Sequence, residues 1–279
     1  MARDGYNPDV VEHRHLPDTD RLSVLSAIIL LAYVIARFVD VPLNEFTIQL
    51  PGLYLNFELS IRTVITFLVA GLAASGAEWL MRQHPRHRDE KTIEHWILPA
   101  ITAWVIGVPL FHLPLGFQWW LWFFIGGGLL ILVVVGEYIT IDPEDIRQPV
   151  ATAGLTAVAF SIFLILAIAL RDVGSRLFWI VPALAFVGGT IALRTLHLRL
   201  RGLWAWFHAL IIALVLSQTA AALYYLPASP VAFGLILLGV VYGLTGMIAN
   251  LAAGRSVSRA VIEPAIILSI VIITALWLN

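Results

Sequence analysis

Long apolar runs separated by short polar turns occupy most of the chain. They fall at about 22–39, 60–81, 95–112, 118–138, 151–170, 177–194, 203–225, 231–251 and 259–278. Each is apolar for roughly 17–23 residues, the length at which a helix crosses a bilayer. A helix is also the form in which a lipid-exposed segment satisfies its own backbone polar groups. The pattern therefore predicts an all-α integral membrane protein, a bundle of about nine transmembrane helices. Residues 1–21 form a polar tail carrying Asp4, Asp9, Glu12, Arg14, Asp18, Asp20 and Arg21, and 22–279 form a single polytopic domain. No short apolar core with a small-residue cleavage site precedes the first run, which is expected to act as an uncleaved anchor.

Residues 41–58 follow a different period. Phe46, Ile48 and Leu50 alternate with Thr47 and Gln49, and Leu53, Leu55 and Phe57 alternate with Tyr54, Asn56 and Glu58. Pro51-Gly52 stands between the two runs, Pro presetting φ and Gly supplying the positive φ of a type II turn. This predicts a short amphipathic β-hairpin on the outer face, between the first and second helices. A lone two-stranded hairpin is marginal in water. Its apolar side chains Phe46, Ile48, Leu50, Leu53, Leu55 and Phe57 are thus expected to cover the bundle or to dock a partner protein.

Arginine placement sets the expected threading. Arg3, Arg14 and Arg21 lie in the tail, Arg82, Arg86, Arg88 and Lys91 in the second loop, and Arg147 in the fourth. Arg194, Arg199 and Arg201 flank the sixth loop, and Arg255 and Arg259 the eighth. The opposite loops hold only Arg37, Arg62, Arg171 and Arg176. The N-terminus is therefore expected in the cytoplasm, and nine crossings place Asn279 outside. Tryptophan agrees: Trp79, Trp96, Trp204 and Trp206 fall at one interface, and Trp119, Trp120, Trp122, Trp179 and Trp277 at the other.

Composition narrows the function classes. Hydrophobic residues make up 60% of the 279 and charged residues 13%, against roughly 25% charged in a soluble domain. A net charge of −1 gives no basic field for nucleic acid. With no cysteine, disulfides, thiol catalysis and iron–sulfur clusters are excluded, and no cofactor is expected. Membrane lipids are the expected partners.

Residues 50–85 carry Leu50-Pro51-Gly52, Ala70-Gly71-Leu72, Glu78-Trp79-Leu80 and His84-Pro85. These resemble an uncharacterised family of bacterial polytopic membrane proteins, a domain of unknown function. The resemblance implies a bacterial inner-membrane protein and carries no activity.

Ionisable groups inside a membrane are candidates for chemistry. Glu78, Glu137, His208 and Glu263 all fall in the cytoplasmic third of their spans, where they could line a polar vestibule and handle protons. The competing structural explanations are pairing of Glu78 with Arg82 and of Glu137 with Arg147, and a helix N-terminus beside Glu263. His84, His87 and His95 are weak metal candidates, because Pro85 breaks any helix between the first two and Arg86, Arg88 and Lys91 oppose a cation. Asp142-Pro143-Glu144-Asp145 reads as a turn and helix start. Gly239 and Gly243, four apart, permit close backbone approach and are expected to serve internal packing.

Spans five to nine show no polar path through their outer halves, which disfavours a carrier for hydrophilic solutes. The first expectation is a non-catalytic scaffold or accessory subunit binding lipid or partner proteins. The second is an intramembrane enzyme on a lipid or isoprenoid substrate, and the third a carrier for a hydrophobic small molecule.

Overall fold

A computed structural model describes residues 17–38, 44–50, 53–59, 61–82, 84, 93–142, 145–200 and 202–277. Among them nine α-helices follow one another: α1 Thr19–Phe38, α2 Ile61–Met81, α3 Ile97–His112, α4 Phe117–Thr140, α5 Gln148–Asp172, α6 Leu177–Arg199, α7 Trp206–Tyr224, α8 Pro230–Ala252 and α9 Val257–Trp277. Eight have the length and hydropathy of a membrane span. This corrects the expectation of nine. Helix α3 has 16 residues, about 24 Å at 1.5 Å per residue, against about 30 Å of hydrocarbon. The shortfall arises at its start, where Ile93–His95 form a separate 3₁₀ turn and leave His95 outside the helix.

Between α1 and α2 the backbone forms two strands, β1 Asn44–Leu50 and β2 Leu53–Leu59, paired antiparallel with Asn44 opposite Leu59 and Leu50 opposite Leu53. The Pro51-Gly52 turn and the side chains of this segment lie outside the described residues, including Phe46, Ile48, Leu50, Leu53, Leu55 and Phe57. The fold class is corrected accordingly, to a helical membrane domain with eight candidate spans. Between α1 and α2 the described residues hold the paired backbone of β1 and β2, while the apolar face expected to cover the bundle rests on side chains outside the described residues.

Helix ends follow local sequence. Ser229 caps α8 by accepting from the Ala232 N–H at 3.2 Å, and Pro230 opens the first turn, where its missing N–H costs nothing. Helices α5 and α8 close on Gly174 (φ 69°) and Gly254 (φ 76°). There the Ser175 N–H reaches Leu170 O, and the Arg255 N–H reaches Asn250 O, each at 3.2 Å. Both are helix-terminating loops that need a left-handed residue, which glycine adopts without strain.

Helix α3 is the interior helix. Leu98, Ile101, Thr102, Ala103, Val105, Ile106 and Leu110 are all buried. It packs against α1, α2 and α4 on one side and against α5 and α6 on the other. Two apolar clusters meet along it, one built from α1, α2 and α4, the other from α5, α6, α7 and α8. An interior helix has protein around its ends, so it can be shorter than the bilayer.

Apolar burial does not distinguish a neighbouring helix from lipid, so close approach and hydrogen bonds must specify the packing. The Tyr33 hydroxyl on α1 donates to Ala103 O on α3. Trp119 Nε1–H on α4 donates to Leu110 O at 3.0 Å, satisfying a carbonyl in the last turn of α3. Arg171 at the end of α5 donates to Tyr224 O and Leu226 O, each at 3.1 Å, and places a cation at the C-terminus of α7. Glycine permits the close approaches. Gly136 on α4 faces Leu155 on α5, and Gly188 on α6 faces Leu216 on α7. Gly239 on α8 faces Leu268 and Val271 on α9, and Gly243 faces Pro264, so this pair is consumed in the α8–α9 contact.

A Cβ at Gly239 would stand 2.9 Å from Leu268 Cδ1, whereas Gly128 on α4 has open space. Gly239→Leu is expected to lower stability by about 1–3 kcal/mol through overpacking, and Gly128→Leu by less than about 0.5. Thermal unfolding of the two variants in one detergent checks this. Equal midpoints would show that α8 and α9 do not pack in this way.

Candidate functional site

Glu137 is placed where a carboxylate is most costly. It lies on α4 with no exposure to solvent, one residue after Gly136, whose missing side chain lets α5 close over that face. Burying an isolated carboxylate is prohibitive unless it is paired and hydrogen-bonded. Three elements supply the partners. Arg194, 2% exposed on α6, donates Nε–H to Glu137 Oε1 at 3.2 Å and Nη2–H to Oε2. This two-pronged contact suits the planar guanidinium and leaves neither carboxylate oxygen bare. His95, in the turn before α3, places Nδ1 at 2.7 Å from Glu137 Oε2.

The contacts continue outward. His95 Nε2 lies 3.4 Å from Glu94 Oε1, and Glu94 Oε2 lies 2.9 Å from His197 Nε2. His197 is buried on α6, three residues beyond Arg194 and so on the same helix face. Its ring lies against Trp204, with centroids 4.2 Å apart, and Trp204 stacks on Trp206 at 5.3 Å. Arg194 Nη2 is 3.4 Å from His95 Nδ1. Two donors at that distance are held together by the carboxylate between them.

These contacts set the titration of the two groups outside the spans. Glu94 is held below its ordinary value, first by the hydrogen bond with His95, and burial opposes this without overcoming it. For His95 burial is the largest influence and disfavours the cation, but the bonds to Glu137 and Glu94 outweigh it and raise its value. When His95 is protonated the charges balance: two carboxylates, one guanidinium and one imidazolium.

The expected candidates separate in this arrangement. Glu137 is central, with Arg194 rather than Arg147 as its partner. Glu78 is half-buried nearby, pairing with Arg82 at 2.7 Å and accepting from Trp96 Nε1–H. His208 is exposed on α7. Glu263 is exposed on α9, 3.8 Å from Arg255. The four do not converge on one cavity. Of the metal candidates, His95 belongs to the cluster, His84 is buried edge-on to Tyr138 at 4.9 Å, and His87 lies outside the described residues. Among the described residues no group of three or more metal-ligating side chains is arranged to hold an ion. The cluster itself contains a fixed cation, Arg194, which would repel one.

Sequence reasoning missed Arg194, His197 and Glu94. Arg194 counts towards loop charge when read for topology, which hides it as a partner. The available signal was Arg194-x-x-His197 on an apolar helix end flanked by Leu193 and Leu196. Glu94-His95 directly before an apolar run that is short for a span pointed the same way.

Residues 41–278 match a family described as protein of unknown function (DUF5656). No curated protein and no solved structure matches the chain.

Removing one partner from a buried ion pair leaves an uncompensated charge. Arg194→Met is expected to destabilise by about 3–5 kcal/mol, and adding Glu137→Met should recover much of that loss. Thermal midpoints of the single and double variants measure the coupling, and additive losses would show that the two side chains do not pair.

The pH dependence has a fixed sign. A raised His95 value contributes stability that is complete below its ordinary 6.5 and is lost as pH rises through the folded value. A lowered Glu94 value contributes above its ordinary 4.5 and is lost as pH falls through the folded value. The cluster's contribution should therefore be greatest between about pH 4.5 and 6.5. His95→Gln should abolish the decline on the alkaline side in a stability-against-pH profile. An unchanged profile would remove His95 from the cluster's energetics.

Proposed function

The chain belongs to the DUF5656 family of unknown function, and we propose that it is a non-catalytic membrane scaffold or accessory subunit that binds lipid or partner proteins. One observation carries this reading. The most deeply buried ionisable group, Glu137, has both oxygens committed to Arg194 and His95 and none to an open cavity. A catalytic carboxylate must reach a substrate proton or carbon, whereas this one joins helices. His208 and Glu263, the other groups an intramembrane enzyme on a lipid or isoprenoid would require, stand on separate exposed helix faces.

Surfaces for lipid or protein are ample. On α9 Ile262, Ile266, Ile270 and Ile273 are each more than half exposed, and on α7 so are Leu210 and Leu214. An apolar crevice between α3, α4 and α5, lined by Val105, Pro109, Trp122, Gly126, Leu129 and Ile162, has room for no more than about one water-sized molecule, so it does not favour the reading as a carrier for a hydrophobic molecule.

The proposed setting is a bacterial inner membrane with the N-terminus cytoplasmic, supported by the one-sided arginine distribution. The eight candidate spans, an even number, return the chain to the side on which it starts. A cytoplasmic reporter fused after Asn279 should then be active, and activity of a phosphatase reporter there would make α3 a further crossing. The functional reading is tested by native mass spectrometry of the protein extracted gently from its own membrane. A stoichiometric protein partner or ordinary membrane lipid is expected. A discrete non-lipid small molecule that survives delipidation would instead favour a carrier or enzyme.

A further inference from the structure

The buried cluster has an order that its bracing role does not need. Its polar atoms run from Glu137 Oε2 to His95 Nδ1 at 2.7 Å and from His95 Nε2 to Glu94 Oε1 at 3.4 Å. The series then passes from Glu94 Oε2 to His197 Nε2 at 2.9 Å. Carboxylate and imidazole alternate, and each interior member uses both of its polar atoms. Such a series passes a proton by exchanging donor and acceptor roles along it, and chains of acidic and histidine side chains relay protons elsewhere in membranes. Its members differ in access: Glu94, within the series, keeps 31% of its side chain exposed, while Glu137 at one end has none. His197 is buried, and its Nδ1 has no hydrogen-bond partner among the described residues.

We propose that Glu94, His95, Glu137 and His197 form a proton-binding site, loaded from water through Glu94 and sensed where the His197 ring lies against Trp204. The ligand is one proton. A hydronium ion in the solvent gives it to the exposed Glu94 carboxylate: one hydronium O–H bond breaks, leaving water, and a carboxyl O–H bond forms. That O–H bond then breaks as the proton passes to an imidazole nitrogen as N–H, and Glu94 regains its negative charge.

Charge fixes the capacity at one. Glu94 and Glu137 against Arg194 leave a net −1 with both imidazoles neutral, and one bound proton brings the set to zero. A second would place two imidazolium ions beside the Arg194 guanidinium, which already stands 3.4 Å from His95. The groups that face the site among the described residues are Glu94 and His95 in the 3₁₀ turn, Glu137 on α4, and Arg194 and His197 on α6. Both Glu137 oxygens are taken up by Arg194, so the imidazole nitrogens are the atoms left to take the proton. The proton then strengthens contacts that tie the start of α3 to α4 and α6, and the strength of that junction follows the acidity at the loop end. This inference does not depend on whether the protein is a scaffold, a carrier or an enzyme.

The test uses the full chain in detergent. Protonated imidazole quenches a stacked indole, so the fluorescence difference between wild type and Trp204→Phe reports on His197. Between about pH 4 and 10 this difference should titrate in a single step. Glu94→Gln should move the midpoint down by about 1 pH unit or more, because it removes the carboxylate next to both imidazoles. A flat difference signal, or a midpoint unmoved by Glu94→Gln, overturns the proposal. Nitrogen-15 spectra of the wild-type histidines decide the matter even if that variant does not fold. His95 and His197 should share one macroscopic transition, as coupled sites do. Independent transitions, or none for either ring, would overturn the site.

Discussion

A carboxylate held away from both water and lipid has to be answered in charge and in hydrogen bonds, and the architecture around Glu137 supplies that answer. Its position on α4 obliges α6 to bring Arg194 to the same depth and obliges the chain before α3 to turn so that His95 faces inward. Each requirement has a local sequence cause. Gly136 lets α5 approach beside the carboxylate, the spacing of Arg194 and His197 keeps both on one face, and the 3₁₀ turn at Ile93–His95 ends before the apolar run begins. Apolar packing alone would leave the relative depth of these helices loosely set, because lipid competes on equal terms. Directional charged contacts set it.

The two ends of the bundle are secured by different means. Where α4 and α6 finish, the bracing is ionic and buried. At the end of α5, Arg171 uses backbone carbonyls beyond α7 and rests near the rings of Tyr224 and Phe233, 5.3 and 5.4 Å away. The second arrangement needs no titratable partner and is indifferent to pH. The first contains His95 and Glu94, whose charge states depend on one another. A bundle fixed firmly at one end and conditionally at the other concentrates its responsiveness where the charged loops are.

How far the sequence could be read follows from this contrast. The helices were legible because lipid imposes a length and a composition on any crossing segment, and α1, α4, α5 and α8 meet both without ambiguity. Helix α3 was counted as a crossing because its apolar run looks long enough when His95 is included. Only the turn at Ile93–His95 shows that the helix starts later. Glu137 was legible as a buried charge, but its partner was not. Helix order in space is undetermined by a linear chain, and an arginine at a span end has two readings, topological and structural. His208 and Glu263 sit at similar depths in the sequence pattern, yet helix rotation turns both outward. Depth along a helix can be read from hydropathy; azimuth cannot when the apolar residues surround the whole cylinder.

The separation of Glu137 and Arg194 in the chain, 57 residues, bears on how the protein is made. Synthesis delivers α4 to the membrane before α6 exists, so the carboxylate enters with its guanidinium still unbuilt. His95 precedes Glu137 in the chain by 42 residues, so of the carboxylate's two partners it alone is already built when α4 emerges.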